Sequence, residues 1–175
     1  MLDTHCAKVT QRHGEKIRCR AGCTACCRQD LSVTRIEATR ILHWLVTHGI
    51  PPSDPSRTEN DEHPFFDALS GDLDCVFLTE GGVCGVYPVR PIICRSHGLP
   101  IKLEDGQVDT CPLNFVESID VEYRDIPKAD LLDLHAMNVR MSLVEILYCK
   151  AQGEEPDRIP LSLVRELAQE MLETP

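Results

Sequence analysis

The residues with the most chemistry in this chain are its ten cysteines, among 175 residues. They stand at positions 6, 19, 23, 26, 27, 75, 84, 94, 111 and 149. Four crowd together as Cys19-x3-Cys23-x2-Cys26-Cys27, and Cys75, Cys84, Cys94 and Cys111 form a second, looser group. A thiolate can close a disulfide, act as a nucleophile or ligate a soft or borderline metal. Disulfide frameworks belong to oxidising compartments and to domains too small for an apolar core. Neither condition is expected to hold here: the chain is long enough for a core, and the opening Met1-Leu-Asp-Thr-His-Cys-Ala-Lys does not read as a secretory leader. A lone catalytic thiol would stand out from the group, and no single cysteine of the group does. Metal ligation accounts best for the count.

Ligands with two or three residues between them converge on one ion or cluster because a tight turn aims both side chains inward. Cys19, Cys23 and Cys26 meet that condition. Adjacent cysteines point in different directions in most backbones, so Cys26 and Cys27 suit two neighbouring sites or different corners of a larger cluster. Zinc and iron–sulfur clusters both accept four thiolates, and ligand type does not separate them. The tandem pair and the x3–x2 spacing tilt the expectation toward a cluster. The same spacing holds an open-iron [4Fe–4S] cluster in radical SAM enzymes. No strand–helix alternation follows it here, and 175 residues are too few for their full barrel.

Charge is uneven around these residues. The total is −10, but residues 8–28 carry six cations (Lys8, Arg12, Lys16, Arg18, Arg20, Arg28) against Glu15 alone, a +5 segment in a −15 background. Nearby cations favour thiolates. The acidic total argues against a nucleic-acid partner. No run approaches the roughly 18 apolar residues of a membrane span. A cytoplasmic protein is the expectation, with metal ions as partners, a protein partner left open, and no nucleic acid and no membrane.

The elements that must position the cysteines are mostly legible. Residues 1–30 read as loop with short turns. Thr34-Arg-Ile-Glu37 is a capping box, followed by Ile36, Ala38, Ile41, Leu42, Leu45 and Val46 at helical spacing, with Gly49 and Pro51 as the stop. Four prolines make 50–64 an exposed loop, and Pro64–Leu69 a short helical turn or core segment. Cys75–Tyr87 reads as a hairpin around Gly81-Gly82, drawing Cys75 and Cys84 together. Pro91 opens a short helix presenting Cys94, with Arg90 and Arg95 beside it and His97 as a weaker candidate ligand. Cys111 follows an exposed turn at Glu104-Asp-Gly-Gln. From Pro127 the chain turns helical, with Leu131, Leu134, Met137, Met141, Val144 and Leu147 expected on the core-facing side. Pro160 opens a last helix carrying Leu161, Val164, Leu167, Ala168 and Met171 in phase. Both helices are expected to pack on the 34–48 helix. The fold class expected is α+β, mainly helical: a small metal-stapled loop and β-hairpin region packed on a helical core. One domain, 1–175, would hold a metal core at about 19–115 and C-terminal helices at about 127–173.

The cysteine set together with Tyr87-x2-Arg90-Pro91-x2-Cys94-Arg95 resembles the YkgJ-type cysteine-cluster family, described as a zinc- or iron-chelating domain. The resemblance covers roughly residues 19–115. It implies eight metal ligands: Cys19, Cys23, Cys26, Cys27, Cys75, Cys84, Cys94 and Cys111. Cys6 and Cys149 fall outside the pattern and read as incidental thiols. The implied cofactor is an iron–sulfur cluster or Zn²⁺. Flagellin lysine N-methylases carry a similar cysteine motif on longer chains and are thought to join an iron–sulfur cluster with S-adenosylmethionine. The alternative to a binding role is therefore an iron–sulfur enzyme, redox or methyl-transferring, with an open iron position.

Overall fold

A computed structural model describes residues 2–19, 23–28, 31–51, 74–115 and 126–174. The Pro64–Leu69 segment and most of the proline-rich loop lie outside the described residues. Backbone contacts divide the chain into two compact units, residues 1–20 with 92–144 and residues 21–91 with 145–175. The architecture is α+β and mainly helical, with small sheets of two or three strands. Among the described residues no helix is long and apolar enough to cross a membrane.

The first unit begins with a helix, α1 (Leu2–His13). This corrects the reading of residues 1–30 as loop. Leu2, Cys6, Val9 and His13 recur on one helical stripe, but only Val9 is fully buried, so the local apolar signal is thin. Asp3 in the first turn and Arg12 and His13 in the last complement the helix dipole. Partners distant in sequence then fix the helix. Asp3 pairs with Arg95 at 2.9 Å, and His13 Nε2 lies 2.8 Å from the buried carboxylate of Asp130, which Arg12 also engages. Burial alone would raise the Asp130 pKa, but the hydrogen bonds from His13 and Arg12 outweigh it and hold the carboxyl below its usual range.

α1 packs on the short helix α3 (Ile92–Ser96). A three-stranded sheet follows: β4 (Ile101–Lys102) pairs antiparallel with β5 (Val108–Asp109) and parallel with β6 (Leu132–Asp133). Gly106, at φ 84°, makes the turn between β4 and β5.

In the second unit, β1 (Ser32–Thr34) pairs antiparallel with β7 (Arg158–Pro160). Each strand runs directly into a helix, β1 into α2 (Arg35–His48) and β7 into α5 (Leu161–Glu173). The two helices are thus launched together, and they pack on each other. Ile41, Leu45, Val33, Phe77 and Val164 are fully buried in their shared core. The expected capping box forms, with Glu37 accepting from the Thr34 amide at 3.1 Å and hydroxyl at 2.9 Å. A second carboxylate completes the helix start: Glu145, 4% exposed, accepts from the amides of Arg35 at 2.8 Å and Ile36 at 3.1 Å. Helix N-termini leave such donors without intrahelical partners, and Glu145 supplies two of them.

Glu145 lies on α4 (Leu134–Gln152), whose first residues belong to the first unit and whose last belong to the second. Its expected core face is corrected. Met137, Glu145 and Cys149 are buried, while Val144 and Leu147 are exposed, the latter at 68%. The apolar residues run nearly all round this helix, so their spacing alone did not select a face. The buried polar anchor at Glu145 did. On α5, Leu161, Val164 and Ala168 are buried as expected, whereas Leu167 and Met171 remain partly in solvent.

Candidate metal centre

Three of the eight implied ligands lie in the first unit. Cys19 is exposed in the extended stretch after the 3-10 turn at Gly14–Lys16, Cys94 is half-buried in α3, and Cys111 is buried just past β5. Gly98 brings two of them together. It sits at φ +87°, and a Cβ added there would lie 2.5 Å from the Cys19 sulfur and 3.6 Å from the Cys111 Cβ. The missing side chain is therefore the space into which Cys19 reaches, beside Cys111. Asn114, 4% exposed, closes this cradle. Its Oδ1 accepts from the Arg18 amide at 2.7 Å, and its Nδ2 donates to the Gly98 carbonyl at 2.5 Å and approaches the Cys19 sulfur at 3.6 Å.

Cys6 is also in this unit, half-buried on α1, with its thiol 3.6 Å from the Arg95 carbonyl oxygen. Arg95, beside Cys94 in sequence, is ion-paired with Asp3. His97 is exposed after α3.

The second unit holds Cys23, Cys26, Cys27, Cys75 and Cys84, all half-buried. The Cys27 amide donates to the Thr24 carbonyl at 2.7 Å, closing a turn with Ala25 and Cys26 at its corner. The Cys75 amide donates to the Cys27 carbonyl at 2.9 Å, which ties the first cysteine group to the hairpin. That hairpin forms as expected, with β2 (Leu78–Thr79) antiparallel to β3 (Val83–Cys84) and Gly81 and Gly82 at positive φ in the turn. Cys84 stands opposite Leu78, and both Cys75 and Cys84 pack against the unit's apolar core. Gly85 is required for packing: a Cβ there would come within 2.4 Å of the Pro51 ring.

Burial pushes the Cys84 thiol pKa up, while a backbone hydrogen bond at Val86 and the charge of Arg90 pull the other way. Arg90 is held in place by its own motif. Its guanidinium lies 3.6 Å from the centre of the Tyr87 ring and its Nε donates to the Tyr87 carbonyl at 3.3 Å. The Tyr87-x2-Arg90 spacing thus fixes a cation near a candidate ligand. Arg28, next to Cys27, is itself buried. Arg165 of α5 donates to the carbonyls of Pro51 and Val76 at 3.1 Å, steadying the residue after Cys75.

The backbone sets Cys19 beside Cys111 and Cys27 beside Cys75, and does not build closed ligand sets among the described residues. Among the described residues no three cysteine, histidine, aspartate or glutamate side chains are grouped so as to hold an ion. The donor chemistry still fits a thiophilic metal: the Gly98 cradle admits one sulfur, an amide N–H faces it, and a guanidinium stands near another. Cys149, outside the implied ligand set, sits on α4. It is fully buried, with its thiol 3.5 Å from a Glu145 oxygen, and burial followed by that carboxylate raises its pKa.

Sequence reasoning did not single out Asn114 or Gly98. Their only local signal is proximity to cysteines, at Cys94-x3-Gly98 and Cys111-x2-Asn114.

The model of the CxxCxxCC family, described as "Putative zinc- or iron-chelating domain", matches residues 18–112, more than half of the chain. No curated protein and no solved structure matches. All eight candidate ligands fall within the matched residues. Cys6, Asn114 and Cys149 fall outside them.

Proposed function

The chain belongs to the CxxCxxCC family of zinc- or iron-chelating domains, and on that premise we propose that it is a metal-binding protein whose eight cysteines form two thiolate groups. One group is Cys19, Cys94 and Cys111; the other is Cys23, Cys26, Cys27, Cys75 and Cys84. The observation that carries this reading is the cradle at Gly98, where residues 92 positions apart, Cys19 and Cys111, meet over a glycine that has no room for a side chain. The Cys19 sulfur and the Cys111 Cβ both lie against this one glycine, which sets an exposed and a buried cysteine side by side. Loops 23–28 and 74–86 have little regular structure of their own, so metal binding would be part of their folding.

Five cysteines in the second unit exceed the four that either one tetrahedral zinc or one cluster takes, so their number does not choose between them. The tandem Cys26-Cys27 and the x3–x2 spacing favour an iron–sulfur cluster. The alternative is an iron–sulfur enzyme, redox or S-adenosylmethionine-dependent, and the three-cysteine set of the first unit favours it, because three thiolates leave a fourth position open. The cytoplasm suits either reading, since reduced thiols are required.

Metal and acid-labile sulfide analysis of protein purified without oxygen tests the proposal. Iron with equimolar sulfide and a broad band near ~400 nm is the expected result for the cluster. About two zinc per chain without sulfide or colour would replace the cluster by closed structural sites. A chain that holds neither metal, and takes up neither, would overturn the proposal.

A further inference from the structure

We infer that Asn114 is a positioning residue for Cys19, its side-chain amide donating a hydrogen bond to the sulfur and holding it over Gly98 as a metal ligand. The inference rests on the reading of Cys19 and Cys111 as ligands. It concerns a residue that lies beyond the segment matched by the family model.

The orientation of the amide is fixed by chemistry. The Arg18 backbone N–H can only donate, so the atom facing it at 2.7 Å is the amide oxygen. The nitrogen therefore points the other way with two hydrogens to place. The Gly98 carbonyl, at 2.5 Å, takes one. The Cys19 sulfur, at 3.6 Å, is placed to take the other. Asn114 is 4% exposed, so water does not readily serve as its acceptor. One side chain thus binds the residue before Cys19, the glycine beneath it and its sulfur.

A hydrogen bond to the charged form of a ligand stabilises it, and partners behind the ligand orient it toward the metal. Asn114 meets both requirements for Cys19. No bond is made or broken in this role; the amide stays neutral and the sulfur carries the negative charge into the metal bond.

The test uses the full chain, stripped by chelator, reduced, and titrated with Co²⁺ without oxygen. Affinity is measured by competition with a chromophoric chelator, and the sulfur-to-cobalt charge-transfer band reports electron density on sulfur. Asn114→Ala is expected to weaken Co²⁺ binding tenfold to a hundredfold, the usual effect of removing an outer-shell partner, and to move the band to lower energy. Asn114→Asp, which sets a carboxylate against the sulfur, is expected to weaken it further. Asn138→Ala, on the exposed side of α4, should match wild type. If Asn114→Ala does not fold, Asn114→Ser is read by the same two measures. A folded Asn114 variant with wild-type affinity and band would overturn the inference even if its melting temperature falls. In that case loss of cobalt by Cys111→Ser leaves the ligand reading standing. Wild-type binding by Cys111→Ser, or no cobalt taken by the wild-type chain, overturns the ligand reading and this inference together.

Discussion

The Cys75 amide donates to the Cys27 carbonyl at 2.9 Å, joining cysteines 48 positions apart through their backbones. The contact needs neither thiol, so the two cysteines are neighbours whatever their side chains do. Cys27→Ser and Cys75→Ser keep this bond and remove only sulfur. Both variants are expected to fold to the same secondary structure and to bind less metal, as read by circular dichroism and elemental analysis. Full metal content in both would remove them from the ligand set.

Gly98 has no tolerance for a side chain. Its φ of +87° is strained for any other residue, and the Cys19 sulfur already lies where a Cβ would stand. Gly98→Ala is expected to cost about 1–3 kcal/mol from backbone strain, seen in denaturant unfolding, and to lower metal content by pushing Cys19 away from Cys111.

The Asp130 carboxylate gives a pH-dependent contribution with a definite sign. Its pKa in the folded chain is lowered, because hydrogen bonds from His13 and Arg12 outweigh the effect of burial. The stability it contributes is fully present above the ordinary carboxylate pKa of about 3.9 and is lost as pH falls through the lowered value. Asp130→Asn should destabilise the chain by about 1–3 kcal/mol at neutral pH, as loss of a buried hydrogen-bond partner does, with the difference from wild type shrinking in acid. Unfolding curves at several pH values measure this directly.

Glu145 anchors the start of α2, and Cys149 sits beside it. Glu145→Ala leaves the Arg35 and Ile36 amides without their acceptor and is expected to cost about 1–3 kcal/mol in thermal unfolding. Cys149, buried and with a raised pKa, should resist alkylation until the chain unfolds, whereas exposed Cys19 in metal-stripped protein should react at once. Mass spectrometry of alkylated peptides separates the two.

Where structure is dictated locally, the sequence was sufficient. Thr34 and Glu37 announce α2, Gly81-Gly82 the hairpin, and Pro91 the helix of Cys94. Long-range partners were not legible. α1 has only a narrow apolar stripe, and its stabilising partners, Arg95 and Asp130, come from far along the chain. The buried face of α4 is set by Glu145 binding another helix's amides rather than by apolar periodicity. Asn114 is an ordinary polar residue until residues 18, 19 and 98 surround it. The cysteines were conspicuous by type and spacing, but the glycine and amide that hold two of them were visible only in three dimensions.

The most direct test of the account is metal per chain in Cys23→Ser, Cys94→Ser and Cys149→Ser, purified alongside wild type without oxygen. The account predicts less metal and a lower melting temperature for the first two, and unchanged metal content for the third. Full metal content in both Cys23→Ser and Cys94→Ser would contradict it.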